Sequence, residues 1–170
     1  MDQPKKIASF EVDHRYITPG IYLSRVDDDI TTLDLRFCRP NAGSYLDNVT
    51  MHTVEHLFAT YVRSCSIGKN VIYFGPMGCR TGFYLLVRNC DLGSIGETVK
   101  EILNRIVEHK GEVFGASEIE CGNYRELDLS SAQTAAQNYL LALEQKDLTD
   151  LRYPLPQYKT VWHGVFRHAI

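Results

Sequence analysis

The 170-residue chain contains no apolar run longer than a few residues, which excludes a transmembrane helix, since a span needs about 20. Met1-Asp2-Gln3-Pro4-Lys5-Lys6 leads into no apolar segment, so no signal peptide is expected and the expected location is cytoplasmic. Positive charge is in slight deficit. Eighteen Lys and Arg stand against twenty-one Asp and Glu, net −3, whereas a general nucleic-acid binder is normally basic. There is no C-x-x-C pair, and the five cysteines (Cys38, Cys65, Cys79, Cys90 and Cys121) are odd in number. A reduced protein with one or two working thiols is expected rather than a disulfide scaffold. Nor is there a repeat, a low-complexity tract or a linker rich in Gly, Ser or Pro, so one domain over residues 1–170 is expected.

What is present is patterned. Leu33, Leu35 and Phe37 alternate with Asp34, Arg36 and Cys38, the period of a half-buried strand. From about Asp47 to Cys65 the period becomes helical, with Val54, Leu57, Phe58, Tyr61, Val62 and Cys65 on one stripe and Asp47 or Asn48 as N-cap. Val71 to Phe74 reads as a short buried strand, Gly75-Pro76-Met77-Gly78 as a turn, and Phe83 to Val87 as another strand. Ser94 with Glu97 three residues on has the form of a capping box. The helix it opens carries Ile95, Val99, Ile102, Leu103 and Ile106 inward, and Gly111 ends it. A further helix is expected from Ser130 to Lys146, burying Ala132, Ala135, Ala136, Tyr139, Leu140 and Leu143. Without strict β-α-β alternation, the expected class is α+β, an antiparallel sheet with helices packed on it.

The sharpest local signal is His52-Thr53-Val54-Glu55-His56, an H-x-x-E-H motif. Histidines four apart stack one turn over another, so both can reach one metal ion. With His52 at zero on the helical wheel, the apolar stripe falls at roughly 140° to 280°, His56 near about 40° and Glu55 near about 300°. The candidate ligand face therefore points away from its own core. Alone, the motif leaves two readings open: a metal site, or a solvated face that carries two histidines and a glutamate.

Two thiols stand in unusual settings. Cys79 lies in Gly75-Pro76-Met77-Gly78-Cys79-Arg80-Thr81-Gly82, among turn-formers and between two strands. Such a loop exposes a thiol, and a neighbouring arginine favours its thiolate, although a small buried thiol fits the same local sequence. Cys121 precedes Gly122, so it can turn toward a metal without backbone crowding. Two neutral imidazoles and one thiolate would leave one coordination position open, the ligand count of a catalytic site.

Together these blocks resemble the LuxS family of S-ribosylhomocysteine lyases over nearly the whole chain. The matching segments are Ser9-Phe10-Glu11-Val12-Asp13-His14, Asp34-Leu35-Arg36-Phe37-Cys38-Arg39-Pro40-Asn41, His52-Thr53-Val54-Glu55-His56-Leu57, Pro76-Met77-Gly78-Cys79-Arg80-Thr81-Gly82 and Cys121-Gly122. The resemblance implies metal ligation by His52, His56 and Cys121, and acid–base roles for Cys79 and Glu55. It places Ser9, His14 and Arg36 at the substrate. It also implies one divalent ion per chain, Fe(II) with Zn or Co as substitutes, and a homodimer whose two active sites are each lined by both chains. One departure is visible: Tyr73-Phe74-Gly75 stands where the family commonly has Asp-Ile-Ser, so an acidic group near the sugar is missing.

The implied substrate is S-ribosylhomocysteine, with sulfur on C5 and a carbonyl at C1. A thiolate leaves readily only when it is β to a carbonyl, so the carbonyl must migrate to C3 before homocysteine departs. The other product is 4,5-dihydroxypentane-2,3-dione, the precursor of autoinducer-2. The alternatives are an H-x-x-E-H metallohydrolase, which needs Glu55 to activate water, and a metal-binding module without catalysis. The C-terminal stretch from Tyr153 to His168 is rich in aromatics and histidine; His163 and His168 could suggest a second metal, but surface or packing residues are the preferred reading.

Overall fold

A computed structural model describes residues 7–154. A short helix α1 (Ala8–Glu11) precedes strands β1 (Gly20–Asp27) and β2 (Ile30–Arg36). Helix α2 (Asn48–Arg63), strands β3 (Val71–Pro76) and β4 (Gly82–Arg88), and helices α3 (Ile95–Val107) and α4 (Leu129–Glu144) follow. The four strands form one antiparallel sheet in the order β1-β2-β4-β3. Helices α2 and α4 pack on one face of it and α3 packs against both, so the architecture is the expected α+β arrangement.

The core side of the sheet is the alternation read from the sequence. Leu33, Leu35, Phe83, Leu85 and Val87 are fully buried, and Phe74 stacks between Phe58 of α2 and Phe83. Helix α2 presents Val54, Leu57, Phe58 and Val62 to this layer, all fully buried. Its start is fixed by Asp47, whose carboxylate accepts the Thr50 N–H at 2.7 Å. The six predicted inward residues of α4 are all buried, and Tyr139 donates from its phenol to the Gly20 carbonyl at 2.8 Å. No helix among the described residues is long and apolar enough to cross a membrane.

Four local expectations differ from the structure. Strand β1 has no counterpart in the sequence reading, because a bulge between Leu23 and Arg25 breaks its alternation. Strand β3 is not buried throughout, since Ile72 and Tyr73 are exposed, and it runs through Gly75 to Pro76, so the turn begins two residues later; β3 is an edge strand, where a proline removes no needed hydrogen bond. Ser94 makes no capping hydrogen bond: a 3-10 turn, Leu92–Ser94, leads into α3 and is capped instead by Asp91, while Glu97 pairs with Lys100. Strand β2 is not half-buried, since Asp34 and Arg36 on its far side are 0% and 3% exposed.

Candidate active site

Helix α2 projects His52, Glu55 and His56 from the side opposite its core stripe, and all three are half-buried. The imidazoles meet edge to face with ring centres 4.6 Å apart. Each is oriented from behind by a backbone carbonyl. His52 donates from Nδ1 to Glu126 O at 3.0 Å, and His56 from Nδ1 to Phe114 O at 2.7 Å. Both Nε2 atoms are thereby left as acceptors facing the same space.

Those carbonyls belong to the segment that also carries Cys121. It is clamped to α2 at a third point, where the Asp128 N–H donates to Thr53 Oγ1 at 2.8 Å. Asp128 then caps α4 through the N–H groups of Ser130 and Ser131. Near His56 the segment passes through Gly115 at φ +69°, where a Cβ would sit 3.3 Å from His56 Nδ1. Phe114 packs edge-on against Tyr61 and His109, and Tyr61 and His109 are joined by a 2.6 Å hydrogen bond.

The result is a convergent donor set. One ligand atom from each of His52, His56 and Cys121 lies within 4.8 Å of the others, and Cys121 Sγ is 3.3 Å from His52 Nε2. A tetrahedral ion with bonds of about 2.0–2.3 Å has N-to-S edges of about 3.5 Å, so the set fits a divalent metal. Two nitrogens and one sulfur suit zinc or ferrous iron alike.

Cys79 occupies a second cluster. Its loop is a tight turn, in which Arg80 donates to Met77 O at 2.9 Å and Met77 to Gly82 O at 2.9 Å. Arg80 adopts φ +59°, and its guanidinium lies over the Tyr45 ring. The guanidinium that does meet the thiol comes from Arg36, with Nη1 3.8 Å from Cys79 Sγ. Thr81 Oγ1 lies 3.0 Å from that sulfur and accepts from Arg36 Nη1 at 2.5 Å. Arg36 is held in turn by Asp34, Nε to Oδ1 at 3.1 Å and Nη2 to Oδ2 at 2.5 Å. Burial pushes the Asp34 carboxyl above the ordinary carboxylate range, against the Arg36 charge and hydrogen bonds that pull it down.

Ser9 and His14 approach this same sheet face. Ser9 lines a cavity of about 300 Å³ with Ser24, Thr32 and Tyr84. His14 donates from Nδ1 to Val12 O at 2.8 Å, and it lies close enough to Asp34 to count among that carboxyl's electrostatic neighbours. The eight predicted site residues therefore fall into two groups: His52, Glu55, His56 and Cys121 on the helix side, and Ser9, His14, Arg36 and Cys79 on the sheet side. Three contributors escaped the sequence reading, namely Asp34, Thr81 and Tyr153. The first had a readable signal, an acid and a base two apart on one strand face; the last had none. His163 and His168 lie outside the described residues.

Comparison with known proteins adds independent observations. A model of the S-ribosylhomocysteinase (LuxS) family matches residues 7–149. The chain is 39% identical over 156 residues to an S-ribosylhomocysteine lyase of Borreliella afzelii (strain PKo), covering 88% of this chain and 99% of the relative. It is 41% identical over 154 residues to an S-ribosylhomocysteine lyase of Finegoldia magna, covering 88% and 98%.

Proposed function

The chain belongs to the S-ribosylhomocysteinase (LuxS) family, and from that premise we propose that it is a lyase that cleaves the thioether of S-ribosylhomocysteine. The products are homocysteine and 4,5-dihydroxypentane-2,3-dione. The observation that carries this reading is the two-part site: a two-nitrogen, one-sulfur donor set, and a separately anchored thiol beside a buried guanidinium.

His52, His56 and Cys121 would hold a divalent ion, with Fe(II) as the expected metal, and when bound it supplies Lewis-acid stabilisation of negative charge on substrate oxygens. The remaining chemistry is proton transfer. Moving the carbonyl from C1 to C3 removes a proton beside each carbonyl and returns one at the neighbouring carbon. Loss of the C4 proton then expels homocysteine as a thiolate. Glu55 and Cys79 are the proton carriers, each of a residue type able to give and take a proton at carbon. Arg36 keeps a positive charge at Cys79, and Ser9 and His14 bind the polar ends of the substrate.

The working unit is a homodimer with shared sites. Asp34 and Arg36 project from the sheet face opposite its core, while His52, Glu55 and His56 project from the α2 face opposite its core stripe. The packed core stands between the two groups, and a second copy can bring one group to the other. At Tyr73 the ring lies across Gly75, so close that a Cβ there would overlap the phenol. That aromatic surface replaces the acidic contact expected of the family, and the sugar is bound by the other groups named.

A free-thiol assay on anaerobically purified protein is the direct test. Homocysteine release from S-ribosylhomocysteine, with no cleavage of a peptide panel, is the expected result. Peptide hydrolysis without homocysteine release would make the protein a metallohydrolase instead.

A further inference from the structure

We infer that Tyr153, on the segment that follows helix α4, is a positioning residue for Cys79, acting through Asp34 and Arg36. The inference deepens the lyase reading and rests on it for the role of the thiol. Tyr153 lies beyond residue 149, where the match to the family ends.

The segment is docked rather than loose. The Leu151 carbonyl accepts from the Leu23 N–H at 2.7 Å, beside the bulge of β1, and the Leu151 side chain joins the core at 9% exposure. Lys146 donates to Thr18 Oγ1 at 2.8 Å, just before it. This docking lays the Tyr153 ring against Tyr22, stacked at 4.9 Å with an 18° angle between planes. From there the Tyr153 hydroxyl donates to Asp34 Oδ2 at 2.8 Å.

Asp34 has no solvent exposure. A carboxylate in that position stays ionised only if donors replace its lost water. Arg36 supplies two of them and Tyr153 a third. Because the same guanidinium extends Nη1 toward Cys79 Sγ, an uninterrupted path runs from the Tyr153 hydroxyl to the thiol. Loss of the phenolic donor weakens the hold of Asp34 on Arg36, and the cation beside the thiol becomes less fixed. A guanidinium held in place beside the sulfur stabilises the negative charge that develops there as the thiol reacts.

The experiment compares wild type with Tyr153→Phe and Tyr22→Phe in the metal-loaded full-length protein. Cys79 alkylation by iodoacetamide is followed by mass spectrometry, and kcat and KM for homocysteine release are measured beside it. Tyr153→Phe is expected to slow both alkylation and kcat by about tenfold, the scale of one hydrogen bond to a charged group. KM and metal content should change little. Tyr22→Phe keeps the stacked ring and loses only a hydroxyl bonded to Thr18, so both rates should stay at the wild-type level. A Tyr153→Phe protein that melts earlier but keeps both wild-type rates would overturn the inference and make Tyr153 structural. The alkylation arm needs no substrate, so failure of the lyase reading shows separately, as a wild type that releases no homocysteine.

Discussion

Arg36 reaches Cys79 from the buried side: Nη1 lies 3.8 Å from Sγ while Nε and Nη2 remain on the Asp34 carboxylate. The pair is 3% and 0% exposed, so neither charge can recover water if the other is removed. Arg36→Met is therefore expected to cost about 3–5 kcal/mol, because it strands a buried carboxylate. Adding Asp34→Leu should restore most of that loss. Urea unfolding of the single and double variants measures both, and a single variant within about 1 kcal/mol of wild type would contradict the arrangement.

Cys79→Ala should retain the metal and the fold, because the thiol sits in the sheet-side cluster and outside the donor set. Turnover should fall by the ~10²–10⁴-fold typical of a lost general acid or base. Glu55→Gln is expected to behave the same way. Metal analysis beside the homocysteine assay is the check. Loss of metal from Cys79→Ala would move that thiol into the coordination shell.

Replacing His52, His56 or Cys121 by Ala should remove metal and activity together. A gentler probe is Gly115→Ala. Its backbone sits at φ +69°, and the new methyl would press on His56 Nδ1 from 3.3 Å. Strain of about 1–2 kcal/mol in the left-handed region adds to that contact. Weaker retention of metal against a chelator, with unchanged protein concentration dependence, is the expected outcome.

Asp47 makes a pH-dependent contribution through the start of α2. The Thr50 N–H holds its carboxyl below the ordinary value, with the Thr50 hydroxyl adding to the effect. A lowered folded-state value means stability that is full above about pH 4 and is lost as pH falls through the folded value. Asp47→Ala should cost about 0.5–2 kcal/mol at neutral pH, and Asp47→Asn much less. The difference between Asp47→Ala and wild type should shrink in acid, which thermal unfolding between neutral pH and pH 3 would measure.

Light scattering tests the assembly. A dimer is expected, with activity that falls on dilution as the shared sites come apart. A fully active monomer at nanomolar concentration would refute a site built from two chains.

The sequence by itself determined three of the four sheet strands, the three long helices and the ligand face. Periodicity from about Asp47 to Cys65, from Ser94 to Gly111 and from Ser130 to Lys146 is enough to place three helices to within a few residues of their ends, because burial of an apolar stripe leaves one orientation. His52 and His56 were legible for the same reason: four residues is one turn, whatever surrounds it. Cys121 is different. Nothing local ties it to α2, and only the carbonyls of Phe114 and Glu126 and the Thr53–Asp128 bond bring its sulfur to His52. Strand alternation placed Asp34 and Arg36 on one side but read that side as solvated. Only the tertiary structure closes it, with Thr81 at one end and Tyr153, 119 positions away from Asp34 in sequence, at the other. Local periodicity reports which side chains share a face. Whether that face meets water, a carboxylate or another segment depends on contacts between residues far apart in the chain, and these carry no period to read.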